Sequence, residues 1–330
     1  ADGSLDLSGT KTLTGRDLDA GEFSFELWED LVKLETVTHD VNGDFSFTTL
    51  DYDLTDVGTK VYTIVETAGS LGGVTYDTTV YTVVVHVSDN GNGTLAVTLD
   101  EESADPDALD FTNDYTATGS LDLSGTKSLT GRDLIAGEFT FELWIDGILV
   151  ETATNDGDGD FSFLTIDYTL ADVGEHTYTV KEASGTLGGV TYDTTVYSVI
   201  VDVSDNGDGT LAVTERETSD DPTALDFENS YAATGSLDLS GTKTLTGRDL
   251  IAGEFAFELW EGLVKLEAVT HDGDGDFAFT TLTYDLDDVG TKTYTVVETA
   301  GTLGGVTYDT TEYMVEVTIS DNGDGTLSVV

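Results

Sequence analysis

The sequence predicts an all-β protein, built of tandem immunoglobulin-like antiparallel β-sandwich domains strung into an elongated rod. Repetition is the first sign. "SLDLSGTKTLTGRDL" at 4–18 returns as "SLDLSGTKSLTGRDL" at 120–134 and "SLDLSGTKTLTGRDL" at 236–250, so the chain repeats every 116 residues. Alternation is the second: "GEFSFELW", "DFSFTTL" and "YTVVVHV" place apolar residues at every other position and are rich in Val, Thr, Tyr and Phe. The third is punctuation by "DVNGD", "SDNGNGT" and "DGDGD", with no sustained 3.6-residue period anywhere. Seven or eight short strands per repeat, so spaced, suit a sandwich.

The repeats divide the chain into domains 1–117, 118–233 and 234–330. Each complete unit is long enough to bury roughly two thirds of its unfolded surface. Joins of about three residues leave neighbours little freedom, which is the basis for expecting a stiff rod. A rod also receives the chain at one end of each domain and releases it at the other, so the first and last strands should run parallel. The third unit stops at "GTLSVV", before the segment that carries Asn113 and Asn229 in the others. It is expected to lack its last strand and to leave a groove, filled in cis by a longer chain or in trans by another subunit's strand.

Successive side chains on a strand face opposite sides. In the first strand Lys11 shares a parity with Leu5, Leu7, Gly9 and Leu13, and Lys127 and Lys243 repeat the pattern. In "VYTIVET", Glu66 falls with Tyr62 and Ile64; Glu182 and Glu298 do the same in their copies. In "ALDFTNDY", Asn113 falls with Leu109, Phe111 and Tyr115, as Asn229 does with Leu225, Phe227 and Tyr231. One Lys, one Glu and one Asn per complete unit therefore point towards the core.

Buried charges are costly unless paired or neutralised. Desolvation lowers a lysine's pKa and raises a glutamate's. A neutral amine beside a carboxamide, with a protonated carboxyl close by, is a reactive set. The amine attacks the Asn carbonyl carbon, and the Glu polarises that carbonyl and moves protons. The products are an amide cross-link and one ammonia, a single turnover of the protein on itself rather than catalysis on a substrate. The plain alternative keeps the same residues in structural roles: Lys11 reaching water from a strand end, Asn113 capping a turn, Glu66 pairing with the lysine.

The pattern "GTKTLTGRDLxAGEFxFELW … YTxxExxGxLGGVTYDTTxY … VSDNGxGTL … DFxNxY" resembles the isopeptide-linkage domain of streptococcal-type major pilins, the FctA-like family, over nearly all of each unit. The resemblance implies a Lys–Asn isopeptide bond between first and last strands, assisted by a Glu. By motif this gives Lys11–Asn113 with Glu66 and Lys127–Asn229 with Glu182, while Lys243 and Glu298 stand without their Asn. It implies a structural region of an extracellular cell-surface stalk, pilus or filament, whose partners are further copies of the repeat or neighbouring subunits. No sortase-type sorting signal and no clear polymerisation lysine motif accompany it.

The charge narrows the partners. With 12 Lys and Arg against 65 Asp and Glu, the net charge is −53. Such a surface repels nucleic acid and anionic headgroups. No apolar run approaches the ~20 residues of a membrane helix. The absence of cysteine rules out disulfides.

A second reading is a calcium-stiffened adhesin or ligand-binding repeat. Asp156, Asp158 and Asp160, and Asp272, Asp274 and Asp276, form oxygen-rich loops of the kind Ca2+ takes. They miss the EF-hand order, and tight hairpin turns use the same residues. No other cofactor is indicated. An enzyme acting on an external substrate finds no support: His39, His86, His176 and His271 form no repeated site, and no nucleophile, zinc or phosphate motif is present. Arg16, Arg132 and Arg248 are expected to pair with local carboxylates. Trp28, Trp144 and Trp260, on the outward parity, are expected beneath a loop or between protomers.

Overall fold

A computed structural model of the chain describes residues 2–330. Its regular structure is β apart from three single-turn 3-10 helices, Leu54–Asp56, Leu170–Asp172 and Leu286–Asp288. The described chain forms two compact units. One runs to Asp122 and includes Thr165–Thr177 and Ile200–Ser219; the other comprises Leu123–Leu164, Tyr178–Val199 and Asp220–Val330.

In the first unit an antiparallel five-stranded sheet runs in the order Leu95–Leu99, Val80–Asp89, Gly58–Glu66, Ser24–Glu29, Val32–Thr38. A four-stranded sheet runs in the order Asp44–Ser46, Ser8–Thr14, Phe111–Tyr115, Val74–Thr75. The period-two alternation sends Phe25, Leu27, Ile64, Val83 and Val85 from the one and Phe45 and Phe111 from the other into a common core, which Leu7 joins from just before Ser8–Thr14. The Phe25 and Phe45 rings stack across it with centroids 3.9 Å apart. Each such side chain stabilises the sandwich by about 1.5–3 kcal/mol.

One pairing is parallel. Ser8–Thr14 lies beside Phe111–Tyr115 with Lys11 opposite Phe111 and Leu13 opposite Asn113. The chain thus enters and leaves this sandwich in one direction, as the sequence leads one to expect. Close approach of the two strands depends on Gly9, because a Cβ there would lie 2.6 Å from the Leu109 carbonyl carbon and nearer still to its oxygen.

The second unit repeats the arrangement. Its four-stranded sheet is ordered Asp160–Ser162, Ser124–Thr130, Phe227–Tyr231, Val190–Thr191, with Lys127 opposite Phe227 in the parallel pair. Phe141 and Phe161 stack at 3.7 Å. The third copy of the sequence keeps a complete five-stranded sheet, from Val264–Thr270 through Ala256–Glu261, Gly290–Glu298 and Glu312–Asp321 to Leu327–Val329. Besides it, among the described residues, Ser240–Thr242 pairs with Asp276–Ala278 and Gly235–Leu237 with Leu282–Tyr284.

Within the first unit the residue two places after Asn113 is also fastened. The Tyr115 hydroxyl donates to Asp205 Oδ1 at 2.7 Å and accepts the Gly209 N–H at 3.2 Å. The Arg16 guanidinium lies 5.0 Å over the Tyr115 ring. In the second unit Tyr231 repeats this with Asp321, Gly325 and Arg132. Gly72 packs against the same loop so closely that a Cβ would sit 2.7 Å from the Asp208 carbonyl carbon; at Gly304, its equivalent in the third copy, nothing lies within 4 Å. Gly72→Ala is therefore expected to destabilise by about 1–3 kcal/mol, and Gly304→Ala to be near neutral. Equal melting shifts would show that the loop contact does not constrain Gly72.

Candidate functional site

Three strands meet at Lys11. The first strand presents the lysine, the central strand Gly58–Glu66 ends on Glu66, and the parallel last strand presents Asn113. Each obeys its strand's alternation, which is why three polar groups share an interior otherwise filled by Phe and Leu. Asn113 is fully buried, and the Lys11 and Glu66 side chains have no exposed surface. Lys11 Nζ donates to Glu66 Oε2 at 2.9 Å and sits 4.8 Å over the Phe23 ring. Asn113 Nδ2 donates to the other carboxylate oxygen, Oε1, at 2.7 Å.

The amide's orientation follows from its second contact. The Asp77 backbone N–H, which can only donate, lies 2.6 Å from Asn113 Oδ1. The nitrogen must then face Glu66. Asp77 is itself held: its Oδ2 accepts the Thr112 N–H and its Oδ1 the Thr79 N–H, each at 2.8 Å. Burial by itself would raise this carboxyl's pKa, but those hydrogen bonds and the nearby lysine bring it below the usual range.

Burial holds the Lys11 amine below the ordinary lysine range, although Glu66 draws it partly back by hydrogen bond and charge. The neutral, nucleophilic form is thereby brought closer to neutrality.

The second copy has the same geometry. Lys127 Nζ donates to Glu182 Oε2 at 3.0 Å, Asn229 Nδ2 to Glu182 Oε1 at 2.7 Å, and the Asp193 N–H to Asn229 Oδ1 at 2.6 Å. Lys127 is likewise lowered by burial. In the third copy Lys243 Nζ meets Glu298 Oε2 at 2.7 Å, with side chains 12% and 4% exposed rather than wholly buried.

The arrangement assigns the chemistry differently from the sequence reading in one respect. Glu66 does not face the carbonyl it was expected to polarise. It bridges the lysine amine and the Asn amide nitrogen, a place suited to a proton relay. The Asp77 N–H faces the carbonyl oxygen, where it would stabilise a developing oxyanion. Asp77 and Asp193 were missed because a backbone donor has no side-chain signature. The repeated "TYDTT" at 75–79, 191–195 and 307–311 was the available sign.

The remaining candidates lie elsewhere. Asp156 Oδ1 accepts the N–H groups of Asp158 and Asp160, each at 2.9 Å, and Asp272 Oδ1 those of Asp274 and Asp276, also at 2.9 Å. These carboxylates close turns, and among the described residues no three His, Cys, Asp or Glu converge as metal ligands. His39 Nε2 accepts the Phe23 N–H at 3.2 Å, a role Asn155 fills for Phe139, whereas His86 pairs with Asp100 at the surface. Arg16, Arg132 and Arg248 pair with Glu22, Glu138 and Glu254. Trp28 donates to Glu26 Oε2 at 3.0 Å beneath Lys33, so it lies under a neighbouring strand's lysine rather than under a loop.

The sequence matches the family model FctA, Spy0128-like isopeptide containing domain, over residues 7–116, 123–232 and 239–330. The chain belongs to this family. It is a family of structural domains, not of enzymes. Among solved structures the chain is similar to the Bacillus anthracis TIE protein, at 16% identity and a TM-score of 0.24, covering 95% of this chain and 48% of that one. It thus spans about half of that protein's length. The major pilin from Streptococcus pyogenes matches at 19% identity and a TM-score of 0.25, covering 69% of this chain and 97% of that one. Two B repeat units of the collagen-binding protein of Staphylococcus aureus match at 17% identity and a TM-score of 0.28, covering 99% of this chain and 74% of that one. No site residue is assigned from these likenesses. The comparison with curated proteins returned no match. Among the described residues no helix is long and apolar enough to cross a membrane.

Proposed function

We propose that this chain is a load-bearing repeat region of an extracellular stalk, pilus or filament on a Gram-positive cell surface. Its domains are 1–117, 118–233 and 234–330, and the first two are closed by Lys11–Asn113 and Lys127–Asn229 bonds. Its partners are further copies of the repeat or neighbouring subunits. One observation carries the reading: a fully buried Asn whose oxygen takes a backbone N–H and whose nitrogen takes the same carboxylate that holds the lysine. Lys Nζ attacks Asn Cγ, the Nζ–Cγ bond forms, the Cγ–Nδ2 bond breaks, and Nδ2 leaves as ammonia with a proton relayed from the amine by the Glu. No oxidant or cofactor enters.

The bond lies between neighbouring parallel strands, so tension entering along Ser8–Thr14 crosses to Phe111–Tyr115 and leaves the domain. The intervening loop of about 100 residues carries little load. After full denaturation the intact protein should be lighter than its sequence by one ammonia per closed site, two in all, with branched Lys11–Asn113 and Lys127–Asn229 peptides on digestion. A mass equal to the sequence would end this reading. Under single-molecule pulling the first repeat should not lengthen, whereas an Asn113→Ala variant should release about 340 Å of chain as it unfolds.

A further inference from the structure

The Asp77 carboxylate takes no part in making or breaking bonds, yet it ties together the two segments that the reaction needs. Phe111–Tyr115 pairs antiparallel with Val74–Thr75 at Asp114 and Tyr115. The ladder ends there, and the chain that leaves it carries Asp77 alongside Thr112. Asp77 Oδ2 accepts the Thr112 N–H at 2.8 Å, in place of a ladder carbonyl. Its Oδ1 accepts the Thr79 N–H at 2.8 Å, the tight turn an Asp makes with the backbone two residues on. Asp77's own N–H meets Asn113 Oδ1 at 2.6 Å. One residue thus grips the last strand at two successive points, the backbone of Thr112 and the side chain of Asn113.

Asp193 repeats every contact, with the Glu228 N–H at 2.8 Å, the Thr195 N–H at 2.8 Å and Asn229 Oδ1 at 2.6 Å. The turn alone does not aim the N–H. In the third copy Asp309 Oδ1 accepts the Thr311 N–H at 2.9 Å, yet the Asp309 N–H donates to Glu298 Oε2 at 3.0 Å. What differs is the second oxygen, which takes the Tyr313 hydroxyl at 3.3 Å rather than a strand N–H.

The charge of Asp77 works the other way. Glu66, and more weakly Asp77, draw the Lys11 amine back towards its protonated form. A negative charge here therefore lowers the share of neutral nucleophile. Against that, two backbone donors need two acceptor oxygens, and an ionised carboxylate holds each about twice as strongly as a neutral group would. Grip and charge oppose each other at this residue, so they give opposite outcomes when the charge is removed.

We propose that Asp77 and Asp193 are positioning residues for the two cross-links. Each carboxylate locks the Asn-bearing strand to the loop whose N–H faces the Asn oxygen, so the carbonyl is held for attack only once that strand is seated. This rests on the Lys–Asn reaction proposed above and adds no step to it.

The test follows the reaction in the whole 330-residue protein. Chains recovered from inclusion bodies in denaturant, and checked for full sequence mass, carry no assembled site. Dilution into a series of buffers of rising pH starts the clock. Denatured mass and digestion then report ammonia loss at each site. In Asp77→Asn the second site should keep the parent's rate and serve as the internal reference. The first should be at least about tenfold slower, because the new side chain offers one acceptor to two donors and a misplacement of about 1 Å costs on the order of a hundredfold. Rising pH should not restore it, since the variant's amine is less protonated than the parent's. Asp193→Asn should slow the second site alone. Hydrogen exchange in Gly58–Glu66 and Val80–Asp89 should stay slow in Asp77→Asn, showing a folded repeat whose cross-link lags. Loss of that protection would make Asp77 a residue of general folding, against the proposal. A first site reacting at or above the parental rate, or one returned to that rate by alkali, would overturn it as well. A parent that loses no ammonia at either site ends the proposed function and this inference with it, whereas a parent that loses two beside an unslowed Asp77→Asn ends this inference alone.

Discussion

Protein carrying both Glu66→Gln and Glu182→Gln is expected to have a denatured mass equal to its sequence, with neither ammonia lost. Each Glu receives the lysine on one oxygen and the Asn nitrogen on the other. A Gln fills the same space but cannot take a proton from the amine and pass it to the leaving nitrogen. Nucleophile availability does not fall, because burial lowers Lys11 while Glu66 is what draws it back up. Loss of the bond would therefore report on the relay rather than on the amine. Stability should drop for two reasons. The variant keeps an unreacted lysine amine buried beside a Gln that cannot balance its charge, a cost the parent's amide does not carry. Opening a closed loop of about 100 residues forfeits about 4.7 kcal/mol in the chain-entropy model. The two share one site and will not simply add. Calorimetry should place the variant's transition well below the parent's, and cross-links persisting at parental levels would remove Glu from the chemistry.

The site was legible in the sequence to the extent that strand alternation is. Lys11, Glu66 and Asn113 declared themselves because a side chain's face follows from its parity, and three strands bore a polar residue on the wrong one. Their convergence required topology as well, and the parallel pairing of first and last strands followed from the need to pass the chain onward. What parity cannot show is a backbone group. The Asp77 N–H sits in a loop whose path is set by Thr79 and Thr112 contacts, so of the two roles expected of Glu66 the contact with the Asn oxygen falls to that N–H, while the place between amine and amide nitrogen still suits the moving of protons. The Tyr115–Asp205 contact joins residues 90 apart in different copies, and a sequence offers no distance for such a pair. The Asp-rich loops were ambiguous for a chemical reason: oxygens spaced to surround a cation are spaced equally well to receive the N–H groups of a tight turn, as Asp156 and Asp272 do.

Gly9→Ala should abolish the first cross-link without touching any reacting group. A methyl at this buried position would meet the Leu109 carbonyl, backbone against backbone, where no rotamer change gives relief. Nor can the Leu109 segment easily retreat. Its N–H is bonded to Ser8 O at 3.2 Å, Ser8 N–H is bonded to Pro106 O at 2.8 Å, and Leu109 and Phe111 are fully buried in the core. The strand must shift as a body, and Asn113 lies only four residues on. Attack at a carbonyl needs the amine and carbon within about 3–3.5 Å, and a misplacement of about 1 Å costs on the order of a hundredfold in rate. The denatured Gly9→Ala protein should thus lose one ammonia rather than two, retaining the Lys127–Asn229 bond, with about 1–3 kcal/mol of overpacking added to the lost loop closure. Gly157→Ala is the matched control: nothing lies within 4 Å of its Cβ position, so both bonds should form. Should Gly9→Ala still lose two, the strands have more play than this register allows, and the cross-link tolerates a looser approach of Asn113 to Lys11 than the buried geometry implies.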